Sequence, residues 1–388
     1  MALTDPRADP AGPGEQQVTP GERPGDAPVT TRPSTWQVWA RRVLGVAWLA
    51  AIVVFLLRDG VPVDRETIIG FTVVGLLVWS IGRRPLRSVL VDWLPFVAVL
   101  VVYDYTRGLG ERLGSPTQWI WQIDTDRFLG GGVVPTTWLQ EHLKQAEPPL
   151  WEVVVSLVYI SFFFVPYLVA GWLWLRSRVD FRQFAVRFVT LSFLGAVVFV
   201  AMPAAPPWAA AQCTAAQVAG HPADPPCMDE FAKTGAPGNG LLGPYVSRTD
   251  SDATAVDRIS SRGFASLHLK NAVQLLDKGQ ATSNLVAAIP SLHAGTTLML
   301  SLFLWPRVRR FWRVALVLYP PAMAFALVYT AEHYVTDIIV GWAMAIALEI
   351  TVRRVTKVRA ARRSRTQVGD GEASAGASSV GTGTGSLA

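Results

Sequence analysis

The chain has 388 residues, of which 51% are hydrophobic and 16% are charged, and its formal net charge is +6. A soluble chain of this size usually carries about 25% charged residues, so the composition excludes an ordinary water-soluble domain and indicates a membrane protein. The basic residues stand in short clusters between apolar runs and form no aromatic-interleaved basic face, which argues against a nucleic-acid partner.

The first 35 residues are polar and rich in proline, so we predict a disordered cytoplasmic N-terminus over 1–35. Apolar segments follow that have the length and composition of membrane helices. They are 38–57, 67–82, 88–106, 150–175, 183–203, 288–305, 311–329 and 334–353. The end of the chain, 356–388, is first basic and then rich in Gly, Ser, Thr and Ala, which predicts a flexible tail beyond about Arg365.

Every second connection between these segments is rich in arginine, and the positive-inside rule assigns those connections and both termini to the cytoplasm. The connections 58–66, 107–149 and 204–287 are then extracytoplasmic. The second of them holds an amphipathic stretch, Pro135–Leu143. The third contains Cys213 and Cys227, which we predict to form a disulfide, with two buried thiols as the alternative.

Two polar groups of residues mark the predicted outer ends of the sixth and eighth segments. One is 287–295, with Pro290, Ser291 and His293, and the other is 332–341, with His333, Tyr334 and Asp337. The topology predicts one face and one depth for both groups, so we expect them to form one site. Helix amino-termini bind phosphate readily; Pro290 suits a first helical turn, and Ser291 can add a hydroxyl donor.

His333 and Asp337 are four residues apart, so they share one face of a helix. The carboxylate can hold the imidazole in one tautomer and leave its other nitrogen free to attack phosphorus, while His293 serves as general acid and base. A purely structural His–Asp pair is the alternative. A metal site with Glu332 as a further ligand is a weaker one, because Glu332 neighbours His333 and points elsewhere, and we predict neither metal nor cofactor.

The forms Pro-Ser-Leu-His-Ala-Gly (290–295) and His-Tyr-x-x-Asp-x-x-x-Gly (333–341) resemble the second and third motifs of the type 2 phosphatidic acid phosphatase superfamily. They are most similar to its inositol phosphorylceramide synthase, or inositolphosphotransferase, branch. The resemblance is strong over 284–345 and weaker back to about residue 150. It implies that His333 is a nucleophile forming a phosphohistidine, that Asp337 orients it, and that Ser291 helps to hold the phosphoryl oxygens.

Hydropathy predicts an all-α polytopic membrane protein with about eight transmembrane helices, and the resemblance implies that it contains a six-helix phosphatidic acid phosphatase-like core. In this division, 36–149 holds the first three transmembrane helices and an outer loop. Residues 150–355 form the phosphotransferase-like core with its long outer loop 204–287, and 356–388 form the cytoplasmic tail.

The basic residues of two superfamily motifs are absent here. Its first motif has Lys and Arg-Pro where this chain reads Pro203–Trp208, and its third motif has Ser-Arg where Ala326 and Leu327 stand. A cation should still meet the developing phosphoryl charge, and we favour Arg107, with Pro290 and Tyr334 completing the predicted phosphate-binding set. Other outer-face candidates are Arg127, Arg248, Arg258, Arg262, Lys270 and Lys278.

The resulting prediction is a plasma-membrane lipid phosphotransferase that acts at the outer face and moves a phosphoryl or phospho-head-group, such as inositol phosphate, between lipids. One alternative is a lipid phosphatase acting on phosphatidate or a prenyl (di)phosphate, and another is a non-catalytic lipid-binding membrane protein. Membrane lipids are the expected substrates, and we infer no obligatory protein partner. We expect the lipids to enter past the outer-loop residues Trp119, Trp121, Trp138 and Trp208.

Overall fold

The computed structural model describes residues 34–59, 65–106, 113, 115–221, 225–228, 240–250, 253, 255–267, 273–274 and 286–379. Regular structure in these residues is helical apart from two isolated bridges. The helices are α1 (Thr35–Arg58), α2 (Arg65–Ser80), α3 (Leu86–Thr106), α4 (Trp121–Leu129), α5 (Pro135–Leu143), α6 (Trp151–Arg176), α7 (Arg178–Ala201), α8 (Pro207–Gln212), α9 (Ala215–Gly220), α10 (Gly263–Ser266), α11 (Leu292–Leu304), α12 (Arg310–Tyr329) and α13 (Val335–Ser379).

Within this described part, 6 helices are long and apolar enough to cross a membrane: α1, α3, α6, α7, α12 and α13. Two shorter helices, α2 and α11, are also apolar. Every apolar segment predicted from the sequence is therefore helical, and the chain is an all-α, multi-pass membrane protein. The amphipathic stretch Pro135–Leu143 is confirmed as helix α5.

Helix α11 begins later than predicted because the residue before it serves as a cap. Ser291 has an extended backbone, and its Oγ accepts a hydrogen bond from the Ala294 N–H at 3.3 Å, so the helix starts at Leu292. Pro290 therefore precedes the helix, and the expectation that it lies in the first helical turn is wrong.

Helix α13 is longer than predicted. It continues to Ser379, whereas the sequence predicted a membrane segment that ends near residue 353. The stretch that leads into the C-terminal tail is rich in Ala, Arg and Lys, which favour helix, and extending an existing helix needs no new nucleation. Residues 380–388 lie outside the described residues, as do residues 1–33 of the predicted disordered N-terminus.

Aromatic side chains join the membrane helices into one core. Trp93 of α3 stacks on Phe181 of α7 with ring centroids 5.1 Å apart, and Phe184 of α7 meets Phe303 of α11 edge-on at 5.6 Å. Helix α1 contributes no buried residue and is attached at the edge, where Trp48 Nε1 donates to a backbone carbonyl of α2 at 3.0 Å. The motif-bearing helix α11 therefore lies inside the bundle, and α1 lies at its periphery.

Three arginine-rich connections lie together at one end of the bundle. Arg84, after α2, donates to the last carbonyls of α6 at 3.1 Å. Arg178, at the start of α7, binds the buried Asp92 of α3 at 2.6 Å, and Arg307, after α11, binds Asp180 of α7 at 2.9 Å. The connections that carry the positive charge are thus on one side, and both sequence motifs lie at the opposite end of their helices.

That opposite end carries a cap formed by the described parts of 115–150 and 202–291. Its core includes side chains of α4 and α8 together with the disulfide Cys213–Cys227, whose Cα atoms are 5.3 Å apart. Three extended pieces lie side by side in the cap, because Gln118 pairs with Ala204 and Ala204 pairs with Ala287 in parallel bridges. The cap therefore connects the chain segments that lead into both motifs.

Candidate active site

The two motif helices cross at a pair of glycines. A Cβ atom on Gly341 would lie 2.3 Å from the backbone oxygen of Ser291, and one on Gly295 would lie 2.9 Å from the backbone oxygen of Gly341. The Ser291 N–H also donates to the Asp337 carbonyl at 3.0 Å. Only glycine allows two backbones to approach this closely, so the glycine that ends each motif brings the start of α11 against α13.

His333 lies at this crossing with both ring nitrogens engaged. Its Nδ1 is 2.8 Å from the Ala288 carbonyl oxygen and 3.5 Å from Asp337 Oδ2. A carbonyl oxygen can only accept, so Nδ1 carries a proton, and in the neutral imidazole Nε2 presents its lone pair. That Nε2 is 3.4 Å from His293 Nδ1. The structure thus brings together the two histidines and the aspartate that the sequence predicted to meet.

Asp337 is fully buried beneath His333. Its Oδ2 accepts the Tyr334 N–H at 2.9 Å, and its Oδ1 has no hydrogen-bond partner among the described residues. The shortest contact of His333 Nδ1 is therefore with a backbone carbonyl, and the carboxylate stands slightly further away. Ala288 shares the orienting role that the sequence assigned to Asp337 alone.

The Ala288 carbonyl is held in place by its neighbours in the cap. The Ala288 N–H donates to the Ala204 carbonyl at 3.1 Å, and the Ala204 N–H donates to the Val286 carbonyl at 2.7 Å. On the other side of Ala204, the Gln118 N–H donates to the Pro203 carbonyl at 2.7 Å. The segment where the superfamily has its basic first motif thus supports the site through its backbone.

Aromatic side chains of α6 enclose His293. Phe162 lies with its ring centroid 4.0 Å from that of His293, Tyr159 stacks on it at 5.3 Å, and Phe163 meets it edge-on at 5.8 Å. These rings restrict the imidazole to one orientation towards His333. Sequence reasoning missed them, although aromatic residues at 159, 162 and 163 recur at helical spacing.

The turn before α13 is held in a backbone conformation that is uncommon for a residue with a side chain. Ala331 has a φ of 61°, and its carbonyl accepts the Trp208 N–H at 3.2 Å. The next residue, Glu332, binds Arg258 through two contacts of 3.0 Å and accepts a hydrogen bond from the Ser260 hydroxyl at 2.7 Å. Hydrogen bonds and an ion pair from the cap therefore hold in place the two residues that precede His333.

The carboxylate of Asp126, which sequence reasoning missed, binds the residues on the C-terminal side of His333. Asp126 of α4 is fully buried and accepts hydrogen bonds from the Val335 N–H at 2.8 Å, the Thr336 N–H at 2.9 Å and the Thr336 hydroxyl at 2.6 Å. Burial raises the pKa of the Asp126 carboxyl above its usual value, while the bonds from Thr336 and Val335 act to lower it. The first amides of α13 are thus already bound to a carboxylate.

Tyr334 packs in the core of the cap, where it is fully buried. Burial, with the carboxylates of Asp337 and Asp126 nearby, raises the pKa of the Tyr334 phenol well above its usual value. Its predicted contact with phosphate stays a prediction.

The candidate cations divide into three groups. Three of them form ion pairs with carboxylates: Arg127 with Asp124, Arg258 with Glu332, and Arg262 with Glu152. Arg248 is exposed on the cap. Arg107, which the sequence favoured, lies outside the described residues, as do Lys270 and Lys278.

Two of the tryptophans expected at a lipid entrance are placed elsewhere. Trp119 and Trp208 are buried in the core of the cap, so their expected exposure to lipid is wrong. Trp138 is 47% exposed and stacks on His142 at 4.3 Å, and Trp121 is partly buried. The amphipathic pattern of α5 identified Trp138 as an exposed residue. The burial of Trp119 and Trp208 could not be read from the sequence, because they pack against loops that are remote along the chain.

No group of three His, Cys, Asp or Glu side chains in the described part of the chain is arranged to hold a metal ion. The predicted chemistry uses side chains and a lipid substrate alone.

Comparison with known proteins gives one family match. The family model described as the PAP2 superfamily matches residues 118–350, which include Asp126, helix α11 and the start of α13. Helices α1–α3 precede the matched region. No match was found among curated proteins or among solved structures.

Proposed function

Because this chain belongs to the PAP2 superfamily, whose members are lipid phosphatases and phosphotransferases, we propose that it is a membrane lipid phosphotransferase that works through a phosphohistidine on His333. The observation that carries the proposal is the state of the His333 ring. Ala288 and Asp337 hold the proton on Nδ1, and Nε2 is left as a lone pair 3.4 Å from His293. A fixed tautomer next to a second titratable group is the arrangement that activates a histidine nucleophile.

In the first half-reaction, His333 Nε2 attacks the phosphorus of a lipid head group. A P–N bond forms, and the P–O bond to the lipid alcohol breaks. His293, in its protonated form, gives a proton to the departing oxygen, so the lipid alcohol leaves neutral. The positive charge on the phosphorylated imidazole is balanced by the buried carboxylate of Asp337 behind the ring.

In the second half-reaction, His293 removes the proton of an incoming hydroxyl group. The hydroxyl oxygen attacks phosphorus, the P–N bond breaks, and Nε2 recovers its lone pair. The same histidine therefore acts as acid and then as base, and water or an alcohol can serve as the acceptor. Transfer and hydrolysis differ only in which acceptor reaches the phosphohistidine.

We place the site on the extracytoplasmic side of the plasma membrane. It lies at the end of the bundle opposite the arginine-rich connections, and those connections face the cytoplasm under the positive-inside rule. The disulfide Cys213–Cys227 in the cap supports this side, because disulfides persist in oxidising compartments.

We favour transfer over hydrolysis because the motifs are most similar to the inositolphosphotransferase branch, and because Pro203–Trp208 lacks the basic residues of the superfamily's first motif. Lipid phosphatase activity is the alternative. The test is product analysis with purified protein in vesicles that contain radiolabelled phosphatidylinositol and candidate lipid alcohols. Label on a second lipid is the expected result, and His333→Ala provides the blank.

Other products would point elsewhere. Label found only in water-soluble products, at every alcohol concentration, would contradict transfer and favour the phosphatase. Binding of the phospholipid without any turnover or labelled protein would favour a non-catalytic lipid-binding protein.

Replacing Asp337 by Asn should reduce turnover only moderately. The Ala288 carbonyl still accepts from Nδ1 in this variant, so the imidazole keeps its tautomer and only the compensating negative charge is lost. We expect a fall well short of the ~10⁴-fold that follows when loss of a carboxylate also loses the tautomer. Steady-state kinetics measure the change, with Asp124→Asn as the control. A fall of the full size would show that Ala288 does not hold the ring.

A further inference from the structure

Helix α4 lies outside the membrane bundle, yet one of its side chains reaches the start of the catalytic helix. Asp126 is 0% exposed and uses both carboxylate oxygens. Its Oδ2 accepts from the Val335 N–H, and its Oδ1 accepts from both the N–H and the hydroxyl of Thr336. All three of these hydrogen bonds fall on the first two residues of α13.

These contacts decide what the start of α13 can do. A free helix amino-terminus offers unsatisfied N–H groups to an anion. Here Asp126 binds the amides of Val335 and Thr336, and Asp337 binds the amide of Tyr334. The sequence suggested that these amide groups bind the phosphate of the substrate. In the structure they are hydrogen-bonded to carboxylates of the protein itself, so the role of Asp126 is not to bind phosphate.

The bonds of Asp126 lie close to the nucleophile along the chain. Val335 is two residues after His333, and Thr336 directly precedes Asp337. A shift of this turn would move His333 and Asp337 together, while His293, on α11, would stay behind. The contact of 3.4 Å between His333 Nε2 and His293 Nδ1 depends on that relative position.

We propose that Asp126 is a positioning residue for the reaction: it sets the start of α13 against the cap and thereby holds His333 in register with His293. The inference rests on the proposed function, in which those two histidines act together. Helix α4 lies within the region that matches the family, which begins at residue 118.

The chemistry of the contact suggests the variant that tests it. Asn at 126 has nearly the shape of Asp but only one acceptor oxygen, and its amide N–H₂ group would face an N–H donor of α13. Asp126→Asn therefore loses at least one of the three hydrogen bonds, with little change of volume. Thr336→Val removes only the hydroxyl bond. Asp124→Asn is a matched control on the same helix, because the Asp124 side chain is 62% exposed and binds Arg127.

The experiment compares the full-length variants in vesicles with radiolabelled phosphatidylinositol as the probe. For Asp126→Asn we expect a loss of about 10²-fold in kcat per folded molecule, as for a displacement of about 1 Å, with KM little changed. Thr336→Val should lose less, and the double variant should be no worse than Asp126→Asn. Asp124→Asn should match the wild type.

A second readout does not depend on activity. The rate at which diethyl pyrocarbonate modifies His333, followed by mass spectrometry, should rise in Asp126→Asn and not in Asp124→Asn, because a displaced ring loses its burial. Unchanged kcat and an unchanged modification rate would overturn the inference. A kcat that falls only with the folded fraction would also overturn it, because the role would then be stability alone. If the wild type formed no phosphohistidine, the proposed function would fail, and the modification rate would still decide the position of His333.

Discussion

His333→Ala should form no labelled phosphoenzyme and should lose about 10⁴-fold or more in lipid turnover, as expected when a covalent nucleophile is removed. The alanine variant has no atom at position 333 that can form the P–N bond. We do not expect His293 to replace His333 as the nucleophile, because the rings of Phe162 and Tyr159 pack against the His293 imidazole and restrict its orientation. Brief incubation with radiolabelled phosphatidylinositol, acid-free isolation and mass spectrometry measure the labelled residue.

His142→Ala is the matched control. This histidine of the cap stacks on Trp138 and has its Nδ1 2.7 Å from the Trp138 carbonyl oxygen, both contacts lying within α5, so its removal should leave turnover unchanged. Thermal unfolding in detergent shows whether each variant is folded. Label on His293 in the wild type would exchange the roles of the two histidines, and full activity in folded His333→Ala would contradict a phosphohistidine at this position.

Gly341→Ala should destabilise the fold strongly for the addition of a single methyl group. Its Cβ would lie 2.3 Å from the Ser291 oxygen and 3.3 Å from the Gly295 nitrogen, and both are backbone atoms that cannot rotate away. Helices α11 and α13 must then separate, which strains the Ser291–Asp337 backbone bond and moves His293 from His333. We expect a cost of about 1–3 kcal/mol or more in the free energy of unfolding, and a loss of activity in the molecules that still fold.

Gly70→Ala is the control for this change. Gly70 also lies in an apolar helix, but a Cβ there would meet no atom within 4 Å, so the substitution adds a methyl group without a clash. Melting temperature and turnover of the two variants, measured in the same detergent, separate the close crossing from a general effect of alanine. A Gly341→Ala variant with the melting temperature and turnover of the wild type would show that the crossing is looser than the structure has it.

The sequence alone was sufficient for the features that depend on local pattern. Hydropathy over about 20 residues located each membrane helix, and amphipathic spacing located α5 at Pro135–Leu143. The spacing of His333 and Asp337 places both on one helix face whatever the rest of the fold does. The helix ends were harder: α11 starts at Leu292 because Ser291 caps it, and α13 runs to Ser379 because an anchored helix extends easily.

The tertiary structure decided how the site is held. The Ala288 carbonyl that orients His333 belongs to a residue without a polar side chain, 45 positions away, so no sequence motif could mark it. Asp126 lies 209 positions before the Val335 amide that it binds. Trp119 and Trp208 are buried because other segments of the cap pack around them. Hydropathy and helical spacing report on neighbours along the chain. Backbone acceptors, buried clamps and the Gly295–Gly341 crossing depend on which distant segments meet, and only folding brings those together.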